Sequence, residues 1–292
     1  MVEAAGRGRE NPVAQGAPGG VGTGPGPEAG RVSPVAEAAL RLLRRRGVEV
    51  HTCTEVRRDR RDDLERCAEF IGSRWENVRD FCLRLKRAAS RGGGVRMDLW
   101  AGASEREIND TVHLGWMLRK AGILAWFDYE DGVLQARPER SQEAVAFVLG
   151  EWLERYAGGL LLRSAAVSGW PADGMSLVRR VGVSLPNGAD AELDVVLFCG
   201  GRLFWVECTT GDDYEDVARR ILRARRWVLG PEDAGALVVV NSLLPQERVR
   251  VEQAAGCRVL HPDELYRVAQ EFWRSARSPE TKKRRRRKKR RS

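Results

Sequence analysis

Glu192-Leu-Asp-Val-Val-Leu-Phe-Cys-Gly-Gly-Arg-Leu-Phe-Trp-Val-Glu-Cys-Thr-Thr-Gly211 is the stretch on which the fold turns. Apolar runs flank Gly200-Gly201, and a two-glycine turn between such runs predicts an antiparallel hairpin. Side chains alternate along a strand, so Glu192 and Asp194 share one face, and Glu207 and Thr209 share one face of the next strand. The turn makes the two strands neighbours, and Asp194 and Glu207 are expected to converge on one divalent cation. Mg²⁺ prefers carboxylate, carbonyl and water oxygens, and the backbone carbonyl of Cys208 would add one. A cation held there polarises a phosphoryl oxygen, lowers the pKa of a bound water and neutralises charge on a leaving oxygen. The pattern predicts a Mg²⁺ or Mn²⁺ site for hydrolysing phosphodiester bonds.

Outward from the hairpin, residues 141–277 read helix, strand, strand, strand, helix, strand, then helix, strand, helix. The first helix is expected from Ser141 to about Tyr156 and the first strand from Met175 to Ser184, with a turn at Pro186-Asn-Gly188. Ala191–Phe198 and Arg202–Thr209 form the hairpin. Asp212-x-x-Glu215 opens a helix carrying Val217, Ile221, Ala224 and Val228 inside, and Gly230-Pro231 ends it. Ala236–Val240 is apolar throughout, as a strand buried on both faces is. Gln246–Ala255, Cys257–Leu260 and Pro262–Ala276 complete the segment.

This order, with Asp194…Glu207-Cys-Thr209, resembles the PD-(D/E)XK, or restriction-endonuclease-like, nuclease superfamily. The preceding helix carries Gly150-Glu-Trp-Leu-Glu154. Together with Glu-Leu-Asp194 and Glu207-Cys, that helix looks like the nuclease domain of CRISPR ancillary nucleases, over about 135 residues. The resemblance implies an αβββαβ core, a metal-dependent nuclease acting on DNA or RNA in phage defence or repair, and Glu154 as a further carboxylate at the metal. Glu151, one helical turn away, is the alternative. Dimerisation, which lets both strands be cut, is common among such nucleases. No sensor domain for a cyclic oligonucleotide is recognisable in residues 34–138, so no such activation is carried over.

One residue departs from the pattern. The family's lysine, two positions after the second acid, holds the attacking water and stabilises charge on the phosphate; here the position is Thr209. Between Lys120 and Lys282 there is no lysine, so a substitute from within the domain would be arginine. Arg219, Arg223 and Arg226 lie at i, i+4 and i+7 on the helix after Glu207 and are read as contacts to nucleic acid; Arg179, Arg180 and Arg202 lie on neighbouring strands. The site then cuts with metal alone and Thr209 positioning water, cuts with an arginine assisting, or has become a nucleic-acid-binding or regulatory site. The presence of both metal acids favours cutting.

The remainder reads as accessory. Residues 1–33 are rich in Gly, Pro and Ala and are expected to be disordered. Residues 34–138 predict a mostly helical domain. Its helices begin at Pro34, near Leu64, at a Ser73-x-x-Glu76 capping box and at a Ser104-x-x-Glu107 capping box, with a short strand at Val48–Val56. A hairpin turning on Asp131-Gly132 follows the last helix, as in a winged helix, but its strands are acidic and apolar where a phosphate-binding wing should be basic.

The chain of 292 residues carries 50 Lys and Arg against 41 Asp and Glu. Ten of the basic residues form an unbroken run, Lys282, Lys283, Arg284, Arg285, Arg286, Arg287, Lys288, Lys289, Arg290 and Arg291, within an expected disordered tail, 278–292. Without that run the charges nearly balance. The tail is read as a sequence-independent, salt-sensitive tether for nucleic acid. The six cysteines and three histidines fit no zinc spacing or catalytic triad. No apolar stretch is long enough to span a membrane and no signal peptide is legible, so a cytoplasmic location is expected.

Overall fold

The computed structural model describes residues 34–55, 62–100 and 102–289, with Pro34, Val35, Glu55 and residues 277–289 described by backbone alone. Residues 1–33, expected to be disordered, lie outside the described residues, as does Val56. The fold is mixed α/β. Its elements are α1 (Pro34–Arg45), β1 (Glu49–Glu55), α2 (Asp63–Ser73), α3 (Trp75–Arg91), β2 (Val95–Asp98), α4 (Glu105–Lys120), β3 (Leu124–Glu130), β4 (Val133–Pro138), α5 (Gln142–Ala146), a π-helical turn (Phe147–Glu151), α6 (Trp152–Val167), β5 (Met175–Ser184), β6 (Asp190–Cys199), β7 (Arg202–Thr209), α7 (Tyr214–Val228), β8 (Ala234–Val239), α8 (Pro245–Ala255), β9 (Arg258–Leu260) and α9 (Pro262–Lys289).

A six-stranded sheet in the order β1-β5-β6-β7-β8-β9 is the frame. Its first four strands are antiparallel neighbours, and β7, β8 and β9 run parallel. The parallel step needs a crossover, which α7 supplies. One face buries Val195, Leu197, Phe204 and Val206 against Leu153, Ala157 and Leu161 of α6 and Trp273 of α9. The other buries Val196, Leu203, Trp205 and Leu237 against Leu43 of α1, Ile221 and Val228 of α7 and Val251 of α8. β6 and β7 are thus covered on both sides, which is why their sequences read as nearly unbroken apolar runs. Each such side chain contributes roughly 1.5–3 kcal/mol by leaving water.

A smaller sheet, β2-β4-β3, stands beside α3 and α4. Its β3–β4 hairpin turns on Asp131 and Gly132, with φ of 49° and 78°. No described helix is long and apolar enough to cross a membrane.

Four features differ from the sequence expectation. The strand at 49–55 does not belong with the helices that come after it; it pairs antiparallel with β5 and forms one edge of the large sheet. The Ser73-x-x-Glu76 capping box does not form: Ser73 Oγ donates to the carbonyls of Glu69 and Phe70 and so ends α2, and Arg74 leads directly into α3. α7 is capped by Asp213, not Asp212, because Asp212 accepts from Asn241 instead. Finally, α9 continues past Ala276 to Lys289 where an irregular tail was expected; Lys and Arg are good helix formers and prolong a helix already nucleated by packing. Ser104, by contrast, forms its capping box with Glu107 as the spacing predicts.

Candidate active site

Gly200 and Gly201, with φ of 58° and 82°, make the two-residue turn that joins β6 to β7. Both values are left-handed, which is why glycine occupies both positions. Pairing runs from Cys199 opposite Arg202 to Val195 opposite Val206 and stops there. At the next position the acids take the place of the ladder. The Asp194 amide donates to Glu207 Oε1 at 3.1 Å, and the Cys208 amide donates to Asp194 Oδ2 at 2.7 Å. The Trp205 indole N–H, two residues along the same strand face, donates to Glu207 Oε1 at 2.7 Å. On the other side β5 breaks at Arg180, whose φ of 51° interrupts the pairing between Arg179–Val195 and Val181–Leu193. The sheet therefore opens where the two carboxylates sit.

A third carboxylate arrives from the helix. α5 and α6 meet at a kink within 147–151, where Gly150 leaves helical geometry with φ 159° and ψ −13°. A break of this kind at glycine re-aims the helix beyond it, and Glu154 in the first turn of α6 lines the cleft. Glu154, Asp194, Glu207, Cys208 and Thr209 line one cleft of about 540 Å³ together with Glu151, Thr210, Lys86, Arg180 and Arg220. Glu151 is held by Arg155 at 2.8 Å and Arg180 at 3.5 Å. Glu154 Oε2 is buried with no hydrogen-bond partner.

Burial of so many acids has an electrostatic cost. Desolvation, then the nearby Asp194, pushes the Glu154 carboxyl up to about 8. Desolvation pushes Asp194 up to about 6 against the opposing Cys208 amide, and holds Glu207 well above the usual carboxylate range, with Asp194 adding to it. Three carboxyls that share too few positive partners are the arrangement a hard divalent cation relieves. As the side chains stand, no group of three or more His, Cys, Asp or Glu among the described residues closes into a ligand cluster: Asp194 and Glu207 are turned onto backbone amides instead. The donor chemistry fits Mg²⁺ or Mn²⁺, and the partnerless Glu154 oxygen is the atom free to turn toward one.

The cations fall differently from the sequence expectation. Arg219, Arg223 and Arg226 do not line the cleft. At 3.6 residues per turn they fall opposite the buried Val217, Ile221, Ala224 and Val228 stripe. Arg226 instead stacks its guanidinium on Trp227. Arg220, on the flank of that stripe, is the α7 arginine that reaches the cleft. Arg179 is buried and pairs with Glu65 at 3.4 Å, while Arg202 is drawn away to Glu232 at 3.0 Å. Of the basic run, Lys282 to Lys289 lie on the last turns of α9, and Arg290 and Arg291 lie outside the described residues.

A residue absent from the sequence expectation also lines the cleft. Lys86, from α3, donates from Nζ to the Thr210 carbonyl at 3.1 Å and to Thr210 Oγ1 at 2.8 Å. Thr210 Oγ1 in turn donates to the Leu149 carbonyl, beside the Gly150 kink, at 3.0 Å. Expecting a lysine only within 141–277 excluded it. The one signal available was scarcity: outside the basic run the chain has two lysines, Lys86 and Lys120.

No protein-family model and no curated protein matches this sequence. Solved structures share the fold. Protein VC1899 from Vibrio cholerae is similar with a TM-score of 0.54 at 20% identity, over 82% of this chain and 61% of that one. Can2 from Sulfobacillus thermosulfidooxidans, in complex with cyclic tetra-adenylate, is similar with a TM-score of 0.57 at 17% identity, over 81% of this chain and 60% of that one. The chain thus spans about three fifths of the length of each.

Proposed function

We propose that this protein is a divalent-cation-dependent nuclease of the restriction-endonuclease-like type, hydrolysing phosphodiester bonds of DNA or RNA. One observation carries the reading: Glu154, Asp194 and Glu207 converge in a single cleft, at the point where β5, β6 and β7 part. The helix, three antiparallel strands, helix and parallel strand from 142 to 239 support it as an αβββαβ core, and so does the fold shared with Can2. In that reading α4 with the β3–β4 hairpin is the winged-helix-like part.

Asp194, Glu207 and the Cys208 carbonyl would hold Mg²⁺ or Mn²⁺, with Glu154 as the further carboxylate. When bound, the ion makes a coordinated water more acidic and neutralises charge on the phosphate. The chain's own residues do the rest. Trp205 fixes one oxygen of Glu207, so the other is presented to the cleft. The Cys208 amide does the same for Asp194. Thr209 offers a hydroxyl that orients water, and it accepts from the Gly211 amide at 3.2 Å, which holds its rotamer. Arg180 and Arg220 supply donors suited to phosphate oxygens.

The test is cleavage of plasmid and of single-stranded DNA and RNA in Mg²⁺ or Mn²⁺, beside Asp194→Ala and Glu207→Ala. Metal-dependent cutting lost in both variants supports the proposal. Equal inactivity of all three proteins sinks it, and metal-independent binding alone points to a nucleic-acid-binding protein.

A further inference from the structure

Three cations line the cleft, and two are already committed to carboxylates. Arg180 stands 3.5 Å from Glu151 and 3.8 Å from Glu192, and Arg220 stands 3.6 Å from Asp216. Lys86 differs: among the described residues its hydrogen bonds run to neutral oxygens of Thr210, and it forms no ion pair. An ammonium has three N–H donors. Two are used on the Thr210 carbonyl and hydroxyl, which leaves one uncommitted donor and a whole positive charge on the wall of the cleft that the acids also line. Its stem is held as α3 packs Phe81, Leu85 and Ala88 into the core, and its head is clamped at the end of β7, next to Thr209.

We propose that Lys86 is a catalytic residue, the ammonium that meets the scissile phosphate, supplied by a helix that lies outside the sheet and earlier in the chain. The assignment rests on the nuclease reading. In the step it serves, the oxygen of water forms a new bond to phosphorus while the ester bond to the leaving oxygen breaks. One water proton passes to the leaving oxygen, and Lys86 keeps its protons throughout. Its charge answers the negative charge that builds on the phosphoryl oxygens, and preorganised groups of this kind are worth about a hundredfold or more in rate. Partial burial lowers the lysine's pKa, an effect Asp212 opposes, and makes each interaction with phosphate stronger than in open water.

The experiment is single-turnover cleavage of a labelled oligonucleotide in Mn²⁺ by the full chain. Its variants are Lys86→Met, Lys86→Arg, Thr210→Val, and Lys86→Met combined with Thr209→Lys, with melting temperatures recorded for each. Lys86→Met should cut at least roughly fiftyfold more slowly with near-native melting. Lys86→Arg, which keeps the charge, should retain more of the rate than Lys86→Met. Thr210→Val, which loses the hydroxyl half of the clamp and keeps the charge, should lose much less. The added Thr209→Lys should restore part of the rate by returning an ammonium to the same cleft. Lys86→Met cutting within threefold of wild type, while Asp194→Ala is dead, overturns the lysine assignment and leaves the nuclease reading intact. Equal losses in Lys86→Met and Thr210→Val, without rescue, make the lysine a structural tie and also overturn it. If the wild type does not cut, the nuclease reading fails and the lysine is judged by oligonucleotide affinity in Ca²⁺. Weakening of fivefold or more by Lys86→Met then supports phosphate contact, and unchanged affinity refutes it.

Discussion

In metal-free buffer with chelator, Glu154→Gln should make the protein more stable above neutral pH and leave it unchanged near pH 4. The sign comes from proton counts. Between its ordinary 4.5 and about 8, the Glu154 carboxyl is ionised in the unfolded chain and protonated in the folded one. The folded state then binds more protons, so stability falls as pH rises through this window and levels off above it. At about 1.36 kcal/mol for each pH unit, the full effect would approach roughly 5 kcal/mol by pH 8. A turn of the carboxylate toward Arg180 recovers part of that, so the expected gain for glutamine is about 2–4 kcal/mol at pH 8.5. Urea unfolding of both proteins from pH 4 to 9 measures it directly. Parallel curves would refute this account, because they would mean that Glu154 ionises equally in both states. Adding Mn²⁺ to the wild type should raise stability most at the alkaline end, where the cation meets ionised carboxylates.

Other perturbations probe separate parts of the molecule. Arg155→Met removes the buried partner of Glu151 and Glu65, at 2.8 and 3.0 Å. With Arg179 and Arg180 still near those acids, it should cost about 2–4 kcal/mol in urea unfolding. Trp205→Phe deletes the indole donor to Glu207 and should weaken Mn²⁺ binding severalfold by calorimetry, with a stability loss of about 1 kcal/mol. Gly115→Ala drives a Cβ into the ring of Phe127 and should cost about 1–3 kcal/mol, measured by thermal melting. Truncation after Ala276 should flatten the dependence of nucleic-acid affinity on salt by several logarithmic units of slope if the basic run tethers substrate; an unchanged slope removes that role.

The hairpin was legible because its determinants are local. Alternation, apolar runs and the Gly200-Gly201 turn place β7 at Arg202–Thr209 and β5 at Met175–Ser184, as the sequence predicts. Asp194 and Glu207 were legible as a pair for the same reason, since a two-residue turn fixes which residues face each other. Nothing local pairs β1 with β5, more than a hundred residues away, or brings Lys86 to Thr210, 124 residues away. The α7 arginines show a third limit. Helical periodicity groups Arg219, Arg223 and Arg226 correctly on one face, but it is the flanking Arg220 that lines the cleft, and which flank meets a neighbouring element is not written in the period of one helix.

The pairing of β1 with β5 has a kinetic consequence. Chain from Glu55 to Val178 must be looped before that edge of the sheet can close, and closing so long a loop carries a conformational entropy penalty that nearby contacts do not share. α2, α3, α4 and the β3–β4 hairpin can gather early through close-range contacts, and the β5–β6–β7 meander can do so independently. β1, a short strand with two register shifts, is then the last to arrive, and its amides should exchange with solvent ahead of those in β6. Both ends of the helical segment are thereby stitched to one sheet, so cutting the chain near Glu139 would leave each fragment missing a strand or the partner for one.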